Sequence, residues 1–184
     1  KLDSYISVIL NLTTDHLERH DTLKNYFMAK LKIFDNAKYK IMNNNLEYSQ
    51  KEITFDVKDN SICINNTPVV NLMLENYNFI LYDNKYYELA GKHEAFNLSA
   101  CIAVLTILDL SLNEIMFGFS KRSRLSHRLE RFCICDGVTY INDSKSTNSD
   151  STLNALESIE KNVILIMGGD NKQISYDSLK NIIN

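Results

Sequence analysis

The sequence predicts an α/β fold in two parts, and three observations support this. Short Ile- and Val-rich runs alternate with segments of helical periodicity. Polar clusters follow the apolar runs at their carboxyl ends. A mixed stretch, 113–124, ends in the basic run Ser-Lys-Arg-Ser-Arg and precedes a fresh β/α alternation. The boundary is set there, giving parts of 1–122 and 123–184.

Taken in order, Tyr5 to Leu12 (YISVILNL) is a nearly unbroken apolar run, expected to be a buried strand, with Thr13-Thr14-Asp15 as its polar stop. Leu23 to Phe34 repeats apolar residues at helical spacing behind a cap at Asp21 or Thr22. Between Tyr39 and Leu89 the pattern shortens and alternates (ITFDV, SICIN, FILYD), as strands joined by Asn-rich turns do. Gly91 to Leu110 reads as a long apolar helix. Arg131 to Cys135 and Val138 to Asn142 are joined by Asp136-Gly137, a hairpin signal. A helix over Ser151 to Ile159 follows, then a buried strand Val163 to Met167 ending in Gly168-Gly169-Asp170, then a last helical piece. A strand, a helix and a second apolar strand ending in Gly-Gly suggest a parallel, Rossmann-like sheet.

Composition narrows the function. The formal net charge of −3 has no basic block behind it, which argues against a nucleic-acid partner. The apolar runs are too short to span a bilayer, so no membrane insertion is expected. The opening Lys-Leu-Asp-Ser has neither a charged leader nor an apolar h-region, and lacks an initiator Met. It reads as a piece of a longer, cytoplasmic protein. The four cysteines form no Cys-x-x-Cys pair and are expected to be buried, reduced thiols. Cys133 and Cys135 share one face of a strand, where packing is the expected role and no second pair completes a metal site.

Ligands of open α/β sheets collect at the carboxyl ends of strands. Three polar clusters are expected there: Asn11 to His20, Asn142 to Asn148, and Gly168 to Lys172. His16 and His20 have the spacing of one helix face, but Leu17 stands where a zinc protease needs Glu. A His just past a buried strand can instead bind a hard cation with carboxylates or phosphates, or simply cap a loop. Lys30 falls on the apolar stripe beside Tyr26, Phe27 and Phe34. Either it snorkels, or it is a desolvated amine open to modification or able to act as a nucleophile. Asp143 ends a strand, where an acid can accept hydrogen bonds from ribose hydroxyls. Lys145, Thr147 and Asn148 open a helix, where backbone N–H groups and a cation suit an anion, and where Ser or Thr would serve equally as caps. Lys172 is a second cation near a strand end, although the third glycine of a dinucleotide fingerprint is absent.

Four blocks together resemble the Mur ligase family, in that family's order: NLTTDHLERH with MAKLKIF, then GKHEAFN, then SHRLERF, then YINDSKSTN with IMGGDNK. The Asn-Asp-Ser-Lys-x-Thr-Asn block resembles the D-glutamate-adding branch; relatives that add other amino acids typically carry an Asp-Tyr-Ala-His-like block there. The resemblance implies a partial central ATPase-like α/β domain followed by a partial Rossmann-like C-terminal domain. It also implies a monomeric enzyme of peptidoglycan precursor synthesis. ATP would phosphorylate the carboxylate of UDP-N-acetylmuramoyl-L-alanine, and the D-glutamate amine would attack the acyl phosphate.

Carried over residue by residue, the resemblance makes His16 a magnesium ligand and Lys30 a carbamylated lysine helping to hold a second Mg²⁺. Asn97 and Asp143 would hold adenine and ribose, and Arg128 the ATP phosphates. Lys145, Thr147 and Lys172 would face D-glutamate or the reacting phosphate, with Lys30, Lys145 and Lys172 forming the catalytic set. Metals and cations would neutralise charge on the transferring phosphoryl group. The chain departs from the family in lacking a Gly-rich Walker-type loop and the UDP-binding N-terminal domain. It also carries Glu94 where Asn is usual and Glu18 where Asp is usual. By itself this piece is expected to be inactive. A Mur-type or folylpolyglutamate-type ligase of other specificity and a non-catalytic relative that keeps the fold are the alternatives.

Overall fold

In the computed structural model, three short strands lie side by side in parallel: β1 (Ile6–Ile9), β2 (Tyr39–Asn43) and β3 (Ile53–Lys58). The structure describes residues 3–12, 17–46, 52–58, 61–69, 72–75, 77, 79–159, 162–169, 176–180 and 182–183. Side chains alternate across a pleated strand, so Ile41 and Met42 face opposite ways. Ile41 and Phe55 pack on Ala100 and Ala103 of helix α3 (Lys92–Ile107). Ile9 and Met42 pack on Phe34, with Phe27 and Leu31 of α2 (Leu23–Leu31) against them. The sheet is thus sandwiched between helices, the layering that parallel strands require. Each fully buried side chain of the size of Ile41 or Phe55 contributes about 1.5–3 kcal/mol. Truncating Phe55 to Ala would leave a cavity between the sheet and α3.

The helices are placed by local chemistry. A short helix, α1 (Leu17–His20), precedes α2, whose cap is Thr22: its hydroxyl accepts from the Asn25 N–H at 3.1 Å. Beyond α2 the chain tightens into a 3₁₀ turn, Lys32–Phe34. The buried Ser7 hydroxyl donates to the Ile33 carbonyl at 2.9 Å and fastens this turn to the edge strand. Strands β4 (Ser61–Ile64) and β5 (Thr67–Pro68) extend the sheet in the antiparallel sense, in the order β1-β2-β3-β4-β5. A separate antiparallel meander, β6 (Leu72–Glu75), β7 (Phe79–Tyr82) and β8 (Lys85–Glu88), sends Leu72, Leu74 and Ile80 into the core. Two-residue turns with positive φ close two hairpins, Asn65-Asn66 and Asp83-Asn84, and Asn and Asp tolerate that conformation best.

After α3 and a further helix comes a hairpin, β9 (Glu130–Cys135) and β10 (Val138–Asn142), closed by Asp136-Gly137, both with positive φ. Its helix α5 (Ser149–Glu157) is capped by Asn148, whose side chain accepts from the Ser151 N–H at 2.8 Å. The 3₁₀ turn Asp177–Leu179 packs on α5 and buries Leu179. Gly91, the N-cap of α3, has φ +95 and ψ −173, a conformation that only glycine adopts readily. A Cβ at Gly91 would be built inside the Ser158 side chain, so this glycine lets the end of α5 approach α3.

Several sequence expectations are corrected. The first strand is four residues long, not eight, and its alternating burial marks an edge strand rather than a fully buried one. The stretch from 113 to 124 is largely helix α4 (Leu112–Ser120), started by a capping box between Ser111 and Glu114 that drives Ile115 and Met116 into the core. Val163 to Met167 is not a strand: no strand neighbours it among the described residues, and Ile164 and Ile166 are each 92% exposed. An apolar run becomes a strand only when another backbone pairs with it. Among the described residues after β8 the hairpin is the only sheet, and it is antiparallel. Cys101, Cys133 and Cys135 are exposed, and only Cys63 is buried as expected. Among the described residues the last helical piece is a single 3₁₀ turn. No described helix is long and apolar enough to cross a membrane.

Candidate functional site

Asp143 follows the last residue of β10, and its carboxylate organises the turn that carries Arg128. One oxygen accepts from the Leu129 N–H at 3.0 Å, and the other accepts from the Ser146 hydroxyl. His127 and Leu129, on either side of Arg128, both have positive φ, at 65 and 44. Such values are costly for non-glycine residues, so the surrounding bonds must hold the turn. The His127 N–H donates to Glu130 Oε2 at 2.7 Å, the Lys145 N–H donates to the His127 carbonyl at 3.2 Å, and Asn142 Nδ2 lies 2.8 Å from His127 Nδ1. Arg128 is thereby presented from a tightly bonded loop.

That loop faces the first turn of α3. Burial lowers the pKa of His93, the fields of Glu94 and Asp143 raise it, and Arg128 lowers it, with burial prevailing. His93, Asp143 and Arg128 therefore share one neighbourhood. Asn97 lies one helical turn beyond His93 on the same face of α3, and it is exposed. Arg128 and Asp143 thus act on the start of a long helix, where orphan N–H groups favour an anion, and Asn97 lies on that same helix. Sequence reading missed His93, although it lies inside the GKHEAFN block.

Glu94 is occupied by the protein itself. One carboxylate oxygen accepts from the Ala90 N–H and the other from Arg122 Nε at 2.8 Å. Arg122 also donates to the Phe119 carbonyl at 3.1 Å and to the Glu88 carbonyl, and its guanidinium lies over the Phe119 ring at 3.6 Å. Arg124 adds an ion pair to Glu88 at 3.0 Å. This knot joins the end of β8, the start of α3 and the end of α4.

Lys30 stands apart from that cluster, at the carboxyl end of β1. Its Nζ donates to the Asn11 carbonyl at 3.3 Å and lies 4.7 Å from the centre of the Tyr26 ring. The side chain is half-buried rather than sunk into the core, because α2 buries none of its residues fully. Both ordinary snorkelling and a modified amine fit this position. His16 lies outside the described residues, as does Lys172. Among the described residues no group of three or more His, Cys, Asp or Glu forms a metal cluster. Lys145 and Thr147 are exposed just before α5; only the Lys145 backbone is seen to bond, and Asn148 rather than Thr147 caps the helix.

Comparison with known proteins decides the family. Residues 1–105 match the Mur ligase middle domain. The chain belongs to the Mur ligase family. It is similar along nearly all its length to enzymes named UDP-N-acetylmuramoylalanine–D-glutamate ligase. The one from Clostridioides difficile is 34% identical over 95% of this chain and 41% of its own length. That of Buchnera aphidicola is 33% identical over 99% and 43%, and that of Koribacter versatilis is 32% identical over 97% and 42%. This Mur ligase chain therefore spans about two-fifths of the length of the curated relatives it matches. The crystal structure of MurF from Acinetobacter baumannii superposes with a TM-score of 0.65 at 18% identity, covering 85% of this chain and 37% of MurF. That likeness supports the α/β Mur ligase fold.

Proposed function

We propose that the full-length protein is an ATP-dependent ligase that joins D-glutamate to UDP-N-acetylmuramoyl-L-alanine in the cytoplasm, as a monomer, in peptidoglycan precursor synthesis. One observation carries the reading: relatives named for this activity are similar over 97–99% of this chain, a span that runs beyond the middle-domain match at 1–105. The boundary between central and C-terminal parts is proposed at 122/123, just after the knot around Arg122. This chain lacks a phosphate loop of its own and is proposed to be inactive alone.

In this reading Asp143 and Asn97 bind the ribose and adenine of ATP, and Arg128 its phosphates. Asp143 retains a lone pair on each oxygen beyond its bonds to Leu129 and Ser146, so it can still accept from hydroxyls. Lys145, Thr147 and Lys172 would receive D-glutamate and steady charge on the reacting phosphate. Lys30, as a carbamate, and His16 would hold Mg²⁺. A carbamate at Nζ carries anionic oxygens of the hard type Mg²⁺ prefers, and the Asn11 carbonyl beside it is another oxygen donor. When bound, the metal would neutralise phosphate charge. The chain's own residues orient the nucleotide at α3, hold the amine donor at the start of α5, and keep the carboxylate and phosphate in line.

The test is ADP release by the full-length protein supplied with ATP, UDP-N-acetylmuramoyl-L-alanine and one amino acid at a time. Release that requires D-glutamate supports the reading. Equal release with other amino acids would overturn its specificity.

A further inference from the structure

The bonds around the Arg128 turn point to a role for one of its neighbours. Arg128 sits between two left-handed residues, His127 and Leu129, and its backbone direction depends on keeping both there. Asp143 holds Leu129 from one side. On the other side, Glu130 holds His127: its Oε2 accepts the His127 N–H at 2.7 Å and lies 3.7 Å from His127 Nδ1. Asn142 completes the grip on the imidazole at 2.8 Å. Without an acceptor for the His127 N–H, little compensates the cost of positive φ at that position, and the turn can relax toward ordinary φ values.

We infer that Glu130 is a positioning residue: by accepting the His127 N–H it locks the turn that aims Arg128 at the first turn of α3. The role asks for an acceptor oxygen, and the negative charge is incidental. This inference rests on the proposed role of Arg128 toward ATP phosphates.

The experiment compares Glu130→Ala, Glu130→Gln and Arg128→Ala in the full-length protein. Hydrogen exchange at the His127 amide is measured without nucleotide, and the KM values for ATP and D-glutamate are measured in turnover. Glu130→Ala should expose the His127 amide to exchange and raise the ATP KM about tenfold, leaving the D-glutamate KM within twofold. Glu130→Gln keeps an acceptor oxygen and should restore both protection and KM. Unchanged protection in Glu130→Ala would overturn the inference, and so would a Gln variant as impaired as Ala. If Glu130→Ala loses protection at unchanged ATP KM while Arg128→Ala raises it, the coupling to Arg128 is overturned. If Arg128→Ala also leaves the ATP KM unchanged, the nucleotide role given to Arg128 is what fails.

Discussion

Arg122 Nε and Glu94 Oε1 meet at 2.8 Å across a separation of 28 residues, and this pair fastens the start of α3 to the end of α4. Both side chains are about three-quarters buried, so the bond is better shielded than a surface ion pair. Replacing Arg122 by Ala would strand the Glu94 carboxylate and release the Glu88 and Phe119 carbonyls. A charged hydrogen bond of this kind contributes about 1.5–3 kcal/mol. The expected outcome is a loss of about 2 kcal/mol in the denaturant midpoint analysis, with Arg122→Lys recovering only part because it cannot make the same fork of bonds. A variant as stable as the parent would show the knot is solvated decoration.

Gly91 offers a second stability test. Its positive φ and its approach to Ser158 both oppose any side chain. Gly91→Ala should cost about 3 kcal/mol from backbone strain and overpacking together. Adding Ser158→Gly should recover the overpacking share and leave the strain. Full recovery in the double variant, read from thermal unfolding, would mean the conformation at 91 costs nothing.

His93 predicts a pH dependence. Its pKa in the folded protein lies below the ordinary histidine value, because burial outweighs the opposing fields of Glu94 and Asp143 and adds to that of Arg128. The unfolded chain therefore binds more protons here than the folded one at mildly acidic pH. The associated stability is present above the ordinary histidine pKa and is lost as pH falls through it toward the folded value. Between about pH 7 and pH 5, His93→Gln should flatten the fall in unfolding midpoint seen in the parent. Parallel profiles for the two proteins would remove His93 as the cause.

These contacts mark what could and could not be read from sequence. The Asp136-Gly137 turn was legible because positive φ at two successive residues selects those residue types. Alternation around Ile41 and Phe55 was legible because a pleat repeats every two residues. The helix at Leu112 was not, since its signal is the capping box at Ser111 and Glu114, and the eye falls on the basic residues after it. Val163 to Met167 misled because apolarity reports a wish for burial and says nothing of a partner strand. The site followed the same rule. Asp143 and Arg128 were named from motifs, whereas the Glu94–Arg122 pair and the Glu130 bond depend on tertiary approach and turn geometry that no local pattern encodes.

Among the described residues Lys30 Nζ donates to the Asn11 carbonyl and lies over the Tyr26 ring, and no carboxylate pairs with it. In the full-length protein Lys30→Ala should nearly abolish turnover, and formate or acetate at high concentration should restore part of it by supplying the missing anion. Near-normal turnover without rescue would return this side chain to a packing role.

The most direct measurement follows the oxygen atoms. Full-length protein is given ATP, D-glutamate and UDP-N-acetylmuramoyl-L-alanine labelled with ¹⁸O in its alanyl carboxylate. If the carboxylate takes the γ-phosphoryl group and the amine then expels phosphate, one labelled oxygen leaves with each inorganic phosphate formed, and only when D-glutamate is present. Inorganic phosphate free of label, released alongside amide product, would contradict the acyl-phosphate ligase described here.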